Sequence, residues 1–520
     1  YFCRSLDTWL DGKCEPLIDP DHWKLKFAAH DKTIDVSDGK SIFDACDEAD
    51  DSQGDGAGFD DLPDDGTRYF YVNKSNGWKM VENAMVAKGF TRLPFEYHNR
   101  LNFDLKWVEN KKHINYPHHK AGQLVNHIEN SQIVCNKFGL LGTLQDHYGD
   151  NFPPNYFPMT YRLDRANEVV QVLEKLSTEE GQKEVWIHKP ANMNCGKGIE
   201  IVTGEAVKEM LEKPAEDEEA VSEDSPAAAF NPNSPTRAKK GSVGQGIINS
   251  KYSSFNLQSS LVQKYLTNPL LIEGKKFDVR VYCLIARTAP AAIVLFHPGY
   301  IRLSLENFTM DTDKLSDLFV HLTNAAVQKK HPEYKNVESI WSMDKMGEYL
   351  QSSGKVEDGA AAIDKLTEQF QTIVLDVWKA SSKKITRKFG QFDLLGFDFM
   401  VDEDLQAKLI EVNTNPALFC DTPVQESIMP PLVESTIGFV LKTHEVHGKV
   451  DAGKMSQCAN GKDVFEGGAD GGGKWADFKL LVDEASGYEW AGDGAGAGGA
   501  MVSPRGSAVQ AVRELAAKSD

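Results

Sequence analysis

No run of about eighteen apolar residues occurs in the 520-residue chain, so no membrane-spanning helix is expected. A charged-then-apolar leader is missing too, but the chain begins at Tyr1. That is expected of a fragment or a processed end, so the missing leader says little about destination. Cysteine is sparse: eight residues, at positions 3, 14, 46, 135, 195, 283, 420 and 458, with no Cys-x-x-Cys pair. This excludes a disulfide framework and a zinc site and fits reduced thiols in the cytosol. The fourteen histidines form no metal-spaced cluster, and His118-His119 reads as a solvated turn. Neither a Walker loop ending in Gly-Lys-Ser/Thr nor a dinucleotide fingerprint is present. Positive charge is in the minority, 57 Lys and Arg against 77 Asp and Glu, a net −20 that argues against nucleic acid.

The charge that is present is unevenly placed. Residues 1–66 carry 18 acidic and 6 basic side chains, whereas residues 67–120 carry 10 basic and 4 acidic ones. The second stretch is expected to offer a cationic surface to an acidic polypeptide. Composition divides the chain further. Residues 1–66 read as an acidic, partly disordered extension, and 67–125 as a small α/β lobe with a strand near Tyr69–Val72 and a helix near Trp78–Lys88. Residues 126–213 form a central lobe. An acidic, Ser-Pro-bearing insertion, 214–250, interrupts it and is expected to be disordered and to loop out. A C-terminal lobe, 251–448, contains a long helix near Ala361–Phe389, and a glycine-rich flexible tail, 449–520, closes the chain.

Three segments carry chemistry. Gly396-Phe397-Asp398-Phe399-Met400-Val401 and Leu409-Ile410-Glu411-Val412-Asn413 flank a polar turn. A hairpin turning about Asp404-Leu405 sets Asp398 opposite Glu411, with Asn413 on the same face. Two opposed carboxylates would repel in an ordinary sheet, whereas three hard oxygen donors suit magnesium. Lys276, Asp278 and Arg280 project from one face of a second strand, and Phe277, Val279 and Val281 from the other. Lys189-Pro190 ends a short apolar strand and is followed by Asn194-Cys195-Gly196-Lys197-Gly198-Ile199, a loop able to fold backbone amides over phosphates.

A lysine strand, a glycine loop, an Asp/Arg strand and an Asp…Glu-x-Asn hairpin, in that order, resemble the ATP-grasp enzymes, specifically the tubulin–tyrosine-ligase-like family. The resemblance covers roughly residues 68–445. It includes Gln123–His127, Trp186–Pro190, Val262–Leu266, Asn268–Leu271, Gly274–Arg280, His321–Asn324 and Leu409–Leu418. Asn194–Gly198, His321–Lys330, Trp341-Ser342-Met343 and Asn415–Leu418 are most similar to the polyglycylating branch, with Cys195 standing where that branch tends to carry glutamine.

The resemblance implies an α/β ATP-grasp fold of three lobes, with nucleotide between the central and C-terminal lobes. It implies an ATP-dependent carboxylate–amine ligase that adds glycine to glutamate carboxylates of tubulin through an acyl-phosphate, with one or two magnesium ions. Polyglutamylation by the same chemistry, or an inactive microtubule-binding scaffold, are the alternatives. Lys189, Gly196, Lys197, Gly198, Ile199, Lys276 and Asp278 are then expected at the phosphates, and Gln263, Lys264, Tyr265 and Leu266 at the adenine edge. Asp398, Glu411 and Asn413 are expected at the metal, and Arg280 at the transferred phosphoryl and oxyanion. Arg302 is expected to grip a substrate carboxylate, with Thr323 and Asn324 completing that wall. Asp278 is either catalytic or a partner of Lys276. A monomer acting on the cytoplasmic cytoskeleton, including the axoneme of a cilium or flagellum, follows from the same resemblance, with no nucleic acid or membrane as partner.

Overall fold

The computed structural model describes residues 66–212, 259–468 and 475–492, less short stretches at 75, 98–100, 192–195, 335–338 and 447–448. It also describes five short strands between residues 2 and 35. The 214–250 insertion, Asn194-Cys195 and residues 493–520 lie outside the described residues. Residues 1–66 form a unit of their own, in which Gly12–Pro16, Trp23–Phe27 and Lys32–Asp35 make an antiparallel sheet.

Among the described residues, three sheets of four or more strands carry the remainder, beside a two-stranded pair, Glu445–Val446 with Lys449–Val450. The first is parallel, in the order Phe90–Arg92, Arg68–Val72, Leu105–Trp107, Leu124–Val125. Helix Trp78–Ala87 buries Val81, Ala84 and Met85 on one stripe, the i, i+3, i+4 spacing that an amphipathic helix requires. The second is antiparallel, in the order Thr160–Arg162, Ser260–Lys264, Val185–Pro190, Glu200–Thr203. Strand Ser260–Lys264 therefore belongs to the central sheet and not to the 251–448 lobe, because its two hydrogen-bonding edges are both taken by central strands. Helix Lys137–Tyr148 departs the other way. Its Leu140, Leu141 and Leu144 pack into the core of the large C-terminal sheet.

That third sheet runs Ala407–Asn413, Asp393–Val401, Lys275–Arg287, Ile293–Asn307, Lys479–Asp483, Tyr488–Glu489. Phe277, Val279 and Val281 point into one core with helix Gly359–Ser381, and Tyr282 and Leu284 point into a second with helix Pro423–His444. Both long helices are capped at their starts. The Asp358 side chain accepts from Ala361 N, and Thr422 accepts from Gln425 N with Pro423 just inside. The helix expected to reach Phe389 stops at Ser381.

The flexible-tail expectation for 449–520 is corrected over residues 475–490. Lys479–Asp483 pairs with Ile293–Phe296, and Trp475, Phe478, Leu480, Leu481 and Val482 are buried. The glycine runs on either side dominate the composition, but five large apolar residues within eight positions are enough to dock a strand on an open sheet edge. Among the described residues no helix is long and apolar enough to cross a membrane.

Candidate functional site

The hairpin Asp393–Val401/Ala407–Asn413 sets Asp398 opposite Glu411, as the sequence requires, but by another route. The turn is closed at Asp402 and Gln406: the Asp402 carboxylate accepts from Asp404 N at 3.1 Å and Gln406 N at 2.8 Å, and Leu405 takes φ +57°. Pairing from Val401↔Ala407 to Phe399↔Leu409 is therefore one residue out of step with a turn about Asp404-Leu405. A bulge at Ile410 restores Asp398↔Glu411 and Gly396↔Asn413. This extra residue also breaks the alternation. Leu409 and Val412 both reach the core, while Ile410, Glu411 and Asn413 all face a cleft. Gly396 has no room for a side chain, because an added Cβ would lie 2.8 Å from Pro416 and 3.3 Å from the Arg280 guanidinium stem. Its bare backbone lets Arg280 cross to Asp398.

Arg280 meets Asp398 through Nε at 2.5 Å and Nη2 at 3.0 Å, and Arg302 Nη2 reaches the same carboxylate at 2.9 Å. Arg302 also grips Asp278 through Nε at 2.6 Å and Nη2 at 2.8 Å, and the Thr323 hydroxyl donates to that carboxylate. The Asn413 amide donates to Asp398 and Glu411 at 3.2 Å each. This amide bridge, with the two arginines, is how the fold tolerates opposed carboxylates. Burial pushes Asp398 up, but the two guanidiniums outweigh it and hold the carboxyl at about 2.

Cations line the rest of the cleft. Lys137, Lys189, Lys264, Lys276 and Lys408 share it with Asp278, Asp398 and Glu411. Lys189 donates to Gln263 Oε1 at 2.7 Å, and Gln263 Nε2 donates to Thr160 Oγ1 at 2.8 Å. Lys276 donates to the Tyr265 hydroxyl at 2.9 Å and to His321 O at 2.7 Å. Burial lowers Lys189 to about 8, against the pull of Glu411, and Lys137 lowers it further. Burial likewise takes Lys276 to about 7, with Asp278 opposing and Lys189 adding to the shift. Lys137 is also lowered by burial, with Glu411 opposing. Three ammonium groups held where desolvation disfavours their charge are an arrangement that a polyanion completes.

The cleft brings together Lys189, Gly196, Ile199, Gln263, Lys264, Tyr265, Leu266, Lys276, Asp278, Thr323, Asn324, Asp398, Glu411 and Asn413. Lys197 and Gly198 are exposed and do not line it. Arg280 and Arg302 lie behind the two aspartates rather than on the surface. Arg302 is committed to two carboxylates of the protein itself, so its expected grip on a substrate carboxylate is not made in this arrangement. Asp278 bonds Arg302 and Thr323, not Lys276. Sequence reasoning missed Lys137 and an apolar floor of Ile187, Met400 and Ile410. Lys137 had a signal. It opens a helix capped by Asn136, and a cation there opposes the helix dipole, so some other interaction must keep it.

The donor set suits a hard divalent cation in type: two carboxylates and an amide, where magnesium typically takes one or two carboxylates and completes its shell with phosphate and water. Glu411 is the most available, since Asn413 is its hydrogen-bond donor while Asp398 already takes four. Arg280 Nη1 is buried with no hydrogen-bond partner among the described residues, and since Arg280 does not line the cleft, its expected place at the transferred phosphoryl and oxyanion is not on the cleft surface.

A model of the Tubulin-tyrosine ligase family matches residues 115–447. The chain is similar to Protein polyglycylase TTLL10 of Rattus norvegicus, 31% identical over 395 residues, covering 72% of this chain and 53% of that protein. Inactive polyglycylase TTLL10 of Homo sapiens is 30% identical, covering 72% and 57%. Probable tubulin polyglutamylase TTLL9 of Rattus norvegicus is 28% identical, covering 57% and 61%. The chain thus spans a little over half the length of these relatives. A match over most of the ordered sheets, joined to the hairpin and lysine geometry above, places this mixed α/β chain, with its ATP-grasp-like fold, in the tubulin-tyrosine ligase family.

Proposed function

We propose that the protein is an ATP-dependent ligase that joins glycine to glutamate carboxylates of tubulin, with ATP bound between the central and C-terminal sheets. The observation that carries this reading is the convergence of three charge-strained lysines, Lys137, Lys189 and Lys276, on the Asp398–Glu411–Asn413 hairpin. The lysines take the phosphates, and Ile187, Leu266, Met400 and Ile410 supply an apolar slot for the base.

Joining an amine to a carboxylate in water needs the carboxylate oxygen made into a leaving group. The acceptor carboxylate takes the γ-phosphoryl group and ADP departs. The glycine amine then attacks the acyl carbon and sheds a proton, and inorganic phosphate leaves. Most of this is positioning and electrostatics. Arg280, bound to Asp398 from behind the cleft wall, holds that carboxylate in place beside Glu411. Thr323, through Asp278 and Arg302, fixes the orientation of the Asp398 cluster. Bound magnesium would neutralise phosphate charge, with Glu411, Asn413 and Asp398 as its holders.

The TTLL9 likeness favours a second reading with glutamate as the added residue. Purified protein incubated with ATP, tubulin and radiolabelled glycine or glutamate in separate reactions decides between them. Glycine label in tubulin is expected. Glutamate label alone would overturn the choice of amino acid. Microtubule pelleting without ATP binding would replace the ligase with a scaffold.

A further inference from the structure

With Lys276 charged and His321 neutral, the hydrogen bonds around Lys276 run in one direction. Its ammonium group can only donate, so the Tyr265 hydroxyl accepts from it at 2.9 Å. The single hydroxyl proton is then given to His321 Nδ1, also at 2.9 Å. His321 Nε2 lies 3.1 Å from the backbone carbonyl of Lys314, which can only accept, so the ring carries its proton there. An imidazolium would instead donate from Nδ1 to the Tyr265 oxygen and break the relay, and burial keeps His321 neutral by holding it to about 4. The same residue's backbone carbonyl takes a second ammonium proton at 2.7 Å. Tyr265 and Lys276 are buried, and both Tyr265 and Phe308 meet the imidazole edge-on. No carboxylate hydrogen-bonds Lys276 among the described residues; Asp278 acts on it through space alone, so the hydrogen bonds that set its position are to neutral groups.

We propose that Tyr265 and His321 are positioning residues that hold Lys276 on the phosphate path through this neutral relay, keeping one ammonium proton for a phosphate oxygen. The proposal rests on the reading of the cleft as an ATP site. It gives the Tyr265 side chain a task separate from any backbone contact with adenine, and it gives His321 one at both its ring and its carbonyl.

Binding of ATP and of adenosine to the full chain, measured by titration calorimetry for wild type, Tyr265→Phe, His321→Leu and His321→Asn, tests it. Loosening one charge-assisted contact is expected to raise the Kd for ATP about tenfold in Tyr265→Phe and His321→Leu, with the adenosine Kd unchanged. Asparagine returns an acceptor near the Nδ1 position, so His321→Asn is expected within about threefold of wild type. The double variant Tyr265→Phe/His321→Leu is expected to be no weaker than either single one, as for two links of one chain. Unchanged ATP affinity in Tyr265→Phe, or equal losses for ATP and adenosine, would overturn the relay. A wild-type chain that binds no ATP would instead remove the ATP site itself. Tyr265→Phe deletes one oxygen and is the variant least able to disturb the fold.

Discussion

Glu411 is the residue on which the proposed chemistry turns. Its carboxylate faces the cleft with, among the described residues, only the Asn413 amide as hydrogen-bond donor, and it tempers the burial of Lys137 and Lys189. Glu411→Gln keeps the shape and removes the charge. Losing a contact of this kind typically costs about 3 kcal/mol, roughly a hundredfold in rate. Glycine transfer is expected to fall by about that factor. The melting temperature without nucleotide should stay within about 2 °C, because relief from Asp398 and loss of attraction to the lysines oppose one another. Full activity in the variant would remove the hairpin from the metal site. The position of this residue opposite Asp398 was legible in the sequence through a simple pairing argument. The Ile410 bulge was not legible as such, although core positions at 407, 409 and 412 cannot share one face of a regular strand.

At the scale of elements, the late strand Lys479–Asp483 is the part that composition hid. Leu481 is fully buried in the same core as Phe277 and Phe399. Leu481→Ala is expected to cost about 2–5 kcal/mol by transfer and cavity terms. A tail without structure would tolerate the change silently. Thermal unfolding of the two proteins distinguishes these outcomes, and a melting temperature unchanged by Leu481→Ala would reject the docked strand. The Lys275–Arg287 strand, by contrast, declared its faces in sequence, because Lys276, Asp278 and Arg280 alternate with Phe277, Val279 and Val281. What alternation could not say is that the same polar face turns apolar after Arg280, where Tyr282 and Leu284 enter a second core.

For the whole molecule, the buried lysines couple charge to folding and to ligand. In the unfolded chain Lys189 and Lys276 keep their protons up to about pH 10.5, whereas the folded values lie at about 8 and about 7. Between pH 7 and 10 the unfolded state therefore binds more protons, and these two groups make stability rise with pH in the absence of nucleotide. A polyphosphate restores the protonated forms. At pH 8, ATP binding is expected to take up about one proton, read as a dependence of the calorimetric enthalpy on the ionisation enthalpy of the buffer. Binding that is strong yet independent of buffer would mean that the lysines do not meet the phosphates.

By itself the sequence determined the pairing of Asp398 with Glu411, the polar face of Lys276–Arg280 and the family to which both belong. These follow from strand periodicity and local spacing, which need no knowledge of distant neighbours. Only the tertiary structure decided the partners. Asp278 answers to Arg302 and Thr323 rather than to Lys276, Arg302 is claimed by two carboxylates of the protein, and Lys137 arrives from a helix far away in sequence to complete the cationic wall. Which charges meet is set by sheet order and helix packing across hundreds of residues, and periodicity along one strand carries no record of that.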